Sequence, residues 1–235
     1  MKPVSIIAQA VGAWLQYEFA CDHSNLFCES YLAVPIASAL GAIYRNQVRS
    51  EYLHPVLAPT KQGPGRRPEV DFAVVANYPD VTCVLESKWI GKAGISAGDI
   101  LWDLLRLELI AHNTKAPAFF LLAGQRRVLE KFFESKTFWG AQTSSGRHRP
   151  LLKLPGRKAG NIRVDTPNHD RQSIFNKLFR DYQKTSFTSQ ITTSKGVAYP
   201  ESCPLYQYQA YAWQVLSPAE VPRFIPRNNR HYQFK

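Results

Sequence analysis

Val70-Asp71-Phe72-Ala73-Val74-Val75 and Val81-Thr82-Cys83-Val84-Leu85-Glu86 are two short runs rich in β-branched residues, joined by Ala76-Asn77-Tyr78-Pro79-Asp80. Five residues containing Asn, Pro and Asp suit the turn of an antiparallel hairpin. Such a hairpin brings the beginning of the first strand, where Asp71 stands, beside the end of the second, where Glu86-Ser87-Lys88 stand. Residues i and i+2 of a strand share a face, so Glu86 and Lys88 are expected to point one way and Ser87 the other. Two carboxylates and an ammonium then meet on one patch. With the main-chain carbonyl of Ser87, Asp71 and Glu86 supply the oxygen ligands that a hard cation such as Mg²⁺ prefers, and Mn²⁺ should substitute for it.

Outward from this hairpin the apolar spacing gives a mixed sheet flanked by helices. Upstream, Ile6 to Phe19 and about Glu29 to Tyr44 read as helices, Pro35 lying in the first turns of the second. Val48 to Leu57 reads as extended, and Pro59 to Pro68, rich in Gly, Pro and Arg, as a loop. Downstream, Ser96 to His112 has a strong helical pattern, Ala118 to Ala123 reads as a central strand buried on both faces, and Gln125 to Ser135 reads as a helix. Gly140 to Gly160 is polar, basic and read as a long loop; Ile174 to Tyr182 suits a helix, and Leu205 to Leu216 a final aromatic strand. The expected organisation is a core over residues 1–139 (helix, three strands, helix, strand, helix) and a basic extension over 140–235 packed on it.

The chain has 235 residues, 45% of them hydrophobic, enough to bury one substantial core. No run approaches the roughly 18 apolar residues of a membrane-spanning helix, so no membrane association is expected. Gln9 and Glu18 interrupt the apolar start in a way that suits an amphipathic helix better than a signal peptide. Cys21, Cys28, Cys83 and Cys203 lack CxxC spacing and the density of a disulfide scaffold, which points to a reducing compartment and a cytoplasmic protein. The net charge of +11 is uneven: residues 1–118 carry 10 Lys and Arg against 11 Asp and Glu, whereas 119–235 carry 19 against 7. A basic half suggests a polyanionic partner, because clustered cations release counterions from phosphates. Arg66, Arg67, Arg147, Arg149, Lys153, Arg157 and Lys158 are the candidate phosphate contacts.

The pattern Asp71, fourteen intervening residues, then Glu86-Ser87-Lys88 resembles the PD-(D/E)XK, or restriction-endonuclease-like, nucleases. That resemblance covers roughly residues 26–125. It implies a three-layer α/β fold, Mg²⁺ held by Asp71 and Glu86, and Lys88 assisting phosphodiester hydrolysis in DNA. It also implies an auxiliary acid on the preceding helix, for which Glu29 stands in the comparable place and Glu18 is the weaker candidate. In the family a Pro often stands immediately before the first Asp; here it is Pro68, three residues upstream. A homodimer or larger assembly suits cutting of both strands. The alternatives are a non-catalytic nucleic-acid-binding or assembly subunit and a structure- or RNA-directed nuclease. Asp99, Asp103 and Arg106, at helical spacing, read as an exposed salt-bridged face, and Tyr206, Tyr208, Tyr211 and Trp213 as aromatics that pack rather than stack on bases.

Overall fold

The computed structural model describes residues 1–60, 66–75, 80–142, 146, 148–155 and 161–234. The turn expected at Ala76 to Pro79, the Gly63-Pro64-Gly65 stretch, Arg147, Arg157 and Lys158 lie outside the described residues.

The chain opens with helix α1 (Pro3–Ala20), two 3₁₀ turns (Ser24–Leu26 and Ser30–Leu32) and α2 (Ala33–Tyr44), followed by β1 (Val48–Leu53) and the short α3 (Leu57–Thr60). The hairpin strands are β2 (Glu69–Val75) and β3 (Val81–Ile90), and α4 (Ala97–Thr114) leads to β4 (Ala118–Gln125), α5 (Arg126–Glu134) and α6 (Lys136–Trp139). Then come β5 (Ile162–Arg163), α7 (His169–Phe179), β6 (Phe187–Thr188), β7 (Gln190–Thr193), β8 (Val197–Tyr199), β9 (Tyr208–Leu216) and β10 (Arg223–Phe224). Eight strands form one mixed sheet in the order β1-β2-β3-β4-β9-β7-β5, with β8 also paired to β9; β6 and β10 form a separate ribbon.

Several sequence boundaries move, among them the start of the aromatic strand, at Tyr208 and not Leu205. The extended run ends at Leu53, because the His54 ring accepts the main-chain N–H groups of Val56 and Leu57 and turns the backbone into α3. The helix expected from Ile174 begins at His169. The stretch after Gly140 is anchored by Leu151, Leu152 and Leu154, all buried, and the Lys153 carbonyl accepts the indole N–H of Trp213 at 2.7 Å.

β2 and β3 pair antiparallel, with Phe72 opposite Leu85 and Val74 opposite Cys83, as the hairpin reading requires. β3 and β4 run parallel, joined by α4 as the crossover helix. β4 is apolar throughout because both its faces are covered. Phe119 and Leu121 pack with Ile7, Val11, Leu15 and Leu40 of α1 and α2, whereas Phe120 and Leu122 pack with Leu101, Leu104 and Leu105 of α4. Within β4, Gly124 lets the strands close: a Cβ there would lie 2.6 Å from the Ile90 carbonyl oxygen. The aromatic strand read as final, β9, lies inside the sheet, antiparallel to β4 from Ala118↔Val215 to Gln125↔Tyr208. Among the described residues no helix is long and apolar enough to cross a membrane.

Candidate functional site

The β2–β3 ladder stops at Phe72↔Leu85, but β3 continues beside β4, with Glu86, Ser87 and Lys88 opposite Phe120, Leu121 and Leu122. Beyond the last pair, side chains take over the duties of the backbone ladder. Asp71 Oδ2 accepts both the Ser87 N–H, at 2.7 Å, and the Ser87 hydroxyl, at 3.1 Å. Glu86 Oε2 in turn accepts the Asp71 N–H at 3.3 Å. The strand ends therefore bring Asp71 and Glu86 together, and Ser87, expected to face away, reaches Asp71 through its N–H and hydroxyl. The Ser87 carbonyl, expected to face a metal, accepts instead from Lys88 Nζ at 3.1 Å.

Lys88 Nζ also lies 3.2 Å from Glu29 Oε1 and 3.2 Å from Asp103 Oδ2. Glu29 stands just before the 3₁₀ turn that leads into α2, and its other oxygen accepts the Trp89 N–H at 3.4 Å. Glu18 is engaged elsewhere, accepting from the Tyr31 hydroxyl and paired with His23 Nδ1 at 2.8 Å. Arg106 Nη2 lies 2.8 Å from Glu86 Oε1, an ion-pair contact without the alignment of a hydrogen bond, and Arg106 Nη1 lies 3.5 Å from Asp103 Oδ1.

Asp103 and Arg106 overturn the exposed-face reading of α4: Asp103 is only 4% exposed. Asp99 does remain exposed, accepting from the Ser96 hydroxyl beside the helix N-terminus. The missed signal was in the sequence. Asp103 and Arg106 are flanked by Leu101, Leu104, Leu105 and Leu107, so the helix has apolar residues around them where a solvated face would be polar.

The electrostatics follow from burial. Loss of water raises the Glu86 pKa well above the usual carboxylate value, and Asp103 and Asp71 add to the rise while Arg106 opposes it. Desolvation likewise pushes Asp103 up to about 6, against the pull of Lys88 and Arg106. Burial works against the Lys88 ammonium, but Asp103, Asp71 and Glu29 outweigh it and raise the pKa, so Lys88 is a fixed cation and not a base at neutral pH. Glu86 Oε1, Asp103 Oδ2 and Arg106 Nε are buried without hydrogen-bond partners, three such atoms in one cluster.

Two hollows meet here. One, of about 290 Å³, is lined by Asp71, Glu86, Lys88, Asp103, Arg106 and the exposed Arg66 and Arg67. Arg66 is also bridged to Glu51 at 3.0 Å and Glu69 at 2.5 Å. The other, of about 1080 Å³, shares Lys88 and Asp103 and continues past Trp89 and Trp102. Arg149 and Lys153 line neither hollow: Arg149 stands near Arg163, and Lys153 lies beside Trp213. Among the described residues no three His, Cys, Asp or Glu side chains converge as a cation site. Comparison of the chain with protein-family models, with curated proteins and with solved structures returns no match.

Proposed function

We propose that the chain is a Mg²⁺-dependent DNA endonuclease of restriction-endonuclease-like, PD-(D/E)XK architecture, with Asp71 and Glu86 as metal ligands, Lys88 as the catalytic cation and Glu29 as its partner acid. The observation that carries this reading is the meeting of Asp71, Glu86 and Lys88 at one strand end, in a cleft rimmed by Arg66 and Arg67.

The donor set fits Mg²⁺ in kind. Proteins commonly give Mg²⁺ only one or two carboxylates and leave the remaining positions to water and substrate phosphate. Buried Glu86 Oε1 has no aligned hydrogen bond and only the Arg106 ion pair at 2.8 Å, and burial raises the pKa values of Glu86 and Asp103, so a bound cation would offset part of their desolvation. When bound, the ion would acidify a water and polarise the phosphoryl group. The chain's own groups divide the remaining work. Arg66 and Arg67 hold the flanking backbone by its phosphates. Lys88, kept protonated by its carboxylate neighbours, donates hydrogen bonds to the attacking water or to the phosphoryl oxygen on which charge develops. Glu29 and Asp103 fix the position of the ammonium from two sides.

Lys88→Ala is therefore expected to retain the fold and Mn²⁺ affinity while losing on the order of 10²- to 10³-fold in single-turnover cleavage. Equal rates for wild type and variant, at saturating metal and equal DNA occupancy, would sink this mechanism. One contact favours a second reading: Arg106 already sets a cation against Glu86, as a phosphate-binding subunit without hydrolysis would tolerate. No cleavage of any DNA or RNA, with no Mn²⁺ heat in calorimetry, would establish it.

A further inference from the structure

The hollow on the far side of Lys88 differs in character from the one that holds Asp71. It is nearly four times larger, about 1080 Å³ against about 290 Å³, and Lys88 and Asp103 stand at the threshold between the two. Its charges balance, with Lys88, Lys92 and Lys131 against Glu29, Asp99 and Asp103. A duplex offers a protein mainly phosphates and groove edges, and a charge-balanced surface gains little from them.

The groove is also lined by aromatic and apolar side chains, the two indoles being half-buried. Trp89 and Trp102 line it from β3 and α4, and Val128 and Phe132 line it from α5. Each indole is braced by neighbouring rings: Trp89 stacks on Tyr208 at 5.8 Å and 24° with Phe27 edge-on at 5.9 Å, and Trp102 lies tilted against Tyr182 at 5.4 Å and 32°. Bracing of this kind fixes the ring plane before a ligand arrives, which lowers the entropy cost of stacking on it. A ligand that brings a phosphodiester to Lys88 and bare π-faces on the adjoining units is a nucleic-acid strand with unpaired bases.

We infer that the groove binds single-stranded nucleic acid, its unpaired bases stacking on Trp102 and Trp89 while the neighbouring phosphodiester lies at Lys88. The position of the phosphodiester rests on the reading of the Lys88 site given above; the stacking itself does not. The strand runs from the Arg66–Arg67 rim, where only backbone is held, across Lys88 into the aromatic groove. Unpaired bases of DNA and of RNA share this chemistry.

The test uses the full chain in EDTA, so that binding is read without cleavage. Fluorescence anisotropy is measured with single-stranded DNA, single-stranded RNA and a blunt DNA duplex of one length, roughly 16 nucleotides. One or both single strands should bind more tightly than the duplex. Trp102→Leu should weaken single-strand binding about 5- to 150-fold and duplex binding less than about twofold. Trp102→Phe should restore most of the loss. Lys131→Gln, at an exposed position that cannot disturb the core, should lower the single-strand salt slope by roughly 0.7. If Trp102→Leu fails to fold, the wild-type preference and the Lys131 slope still decide. Duplex binding as tight as single-strand binding, or single-strand affinity unchanged in Trp102→Leu, overturns the inference. Trp102-dependent binding with no cleavage in Mn²⁺ would support the groove and remove only the hydrolytic reading. Lys88-dependent cleavage that ignores Trp102 would remove only the groove.

Discussion

Lys88 is held between Glu29 and Asp103, and the second of these carries a measurable burden. The Asp103 pKa is raised to about 6, mainly by burial, so folding takes up protons between the ordinary carboxylate value and that pH. The native state is therefore penalised as pH rises through this window, and the penalty is complete above it. Asp103→Asn removes the ionisable group while keeping its shape. The variant should be more stable than wild type by roughly 1–3 kcal/mol near pH 8, with the advantage gone below about pH 4. Urea unfolding of both proteins at the two pH values checks the sign, and a variant less stable than wild type at pH 8 would show that the contacts with Lys88 and Arg106 outweigh desolvation. Asp71, Glu86 and Lys88 were legible in the sequence because a strand's two-residue alternation and a hairpin are both local. Asp103 and Arg106 were legible only through the leucines around them, since by itself an i, i+3 pair of opposite charges looks alike on a solvated helix and on one turned toward buried carboxylates.

At the scale of elements, the position of the site depends on how closely β3 lies against β4. The wholly apolar run Ala118 to Ala123 announced a strand buried on both faces, and it is one. What the run could not announce was Gly124, one residue further on, where the β3 backbone leaves no room for a side chain. Gly124→Ala should destabilise the protein by about 1–3 kcal/mol, because the contact is with a carbonyl oxygen and not with a side chain that could rotate away. The end of β3 would have to move, and with it Lys88, two residues before Ile90. The urea midpoint reports the stability, and an unchanged midpoint would place the two strands farther apart at this level. The reading of Leu205 to Leu216 as an aromatic strand was right in type, but its partner was not legible: pairing between residues about ninety apart leaves no local mark.

At the scale of the molecule, the order of elements suggested a core over residues 1–139 with a basic extension packed on it, and one sheet runs through strands from both stretches. β9 covers the whole hydrogen-bonding edge of β4 that β3 leaves free, and Trp213 sits at 0% exposure with its ring centroid 6.2 Å from that of Phe120. Lys88 lies opposite Leu122, and Leu122 lies opposite Tyr211, so the candidate site is two strands from β9. A chain cut after residue 139 would keep every residue of that site yet expose β4 as an open edge whose side chains are almost all apolar. Such an edge is a template for pairing with other copies. The truncated chain is accordingly expected to elute as aggregate in size-exclusion chromatography and to show no cooperative thermal transition, even though it retains Asp71, Glu86, Lys88 and Glu29. A monomeric 1–139 fragment with a sharp transition would mean that the first four strands hold without β9 and that the later strands are an addition to a self-sufficient core. Failure of the fragment would locate the folding unit in the whole sheet, and the carboxylates and lysine would then owe their geometry to residues more than a hundred positions downstream.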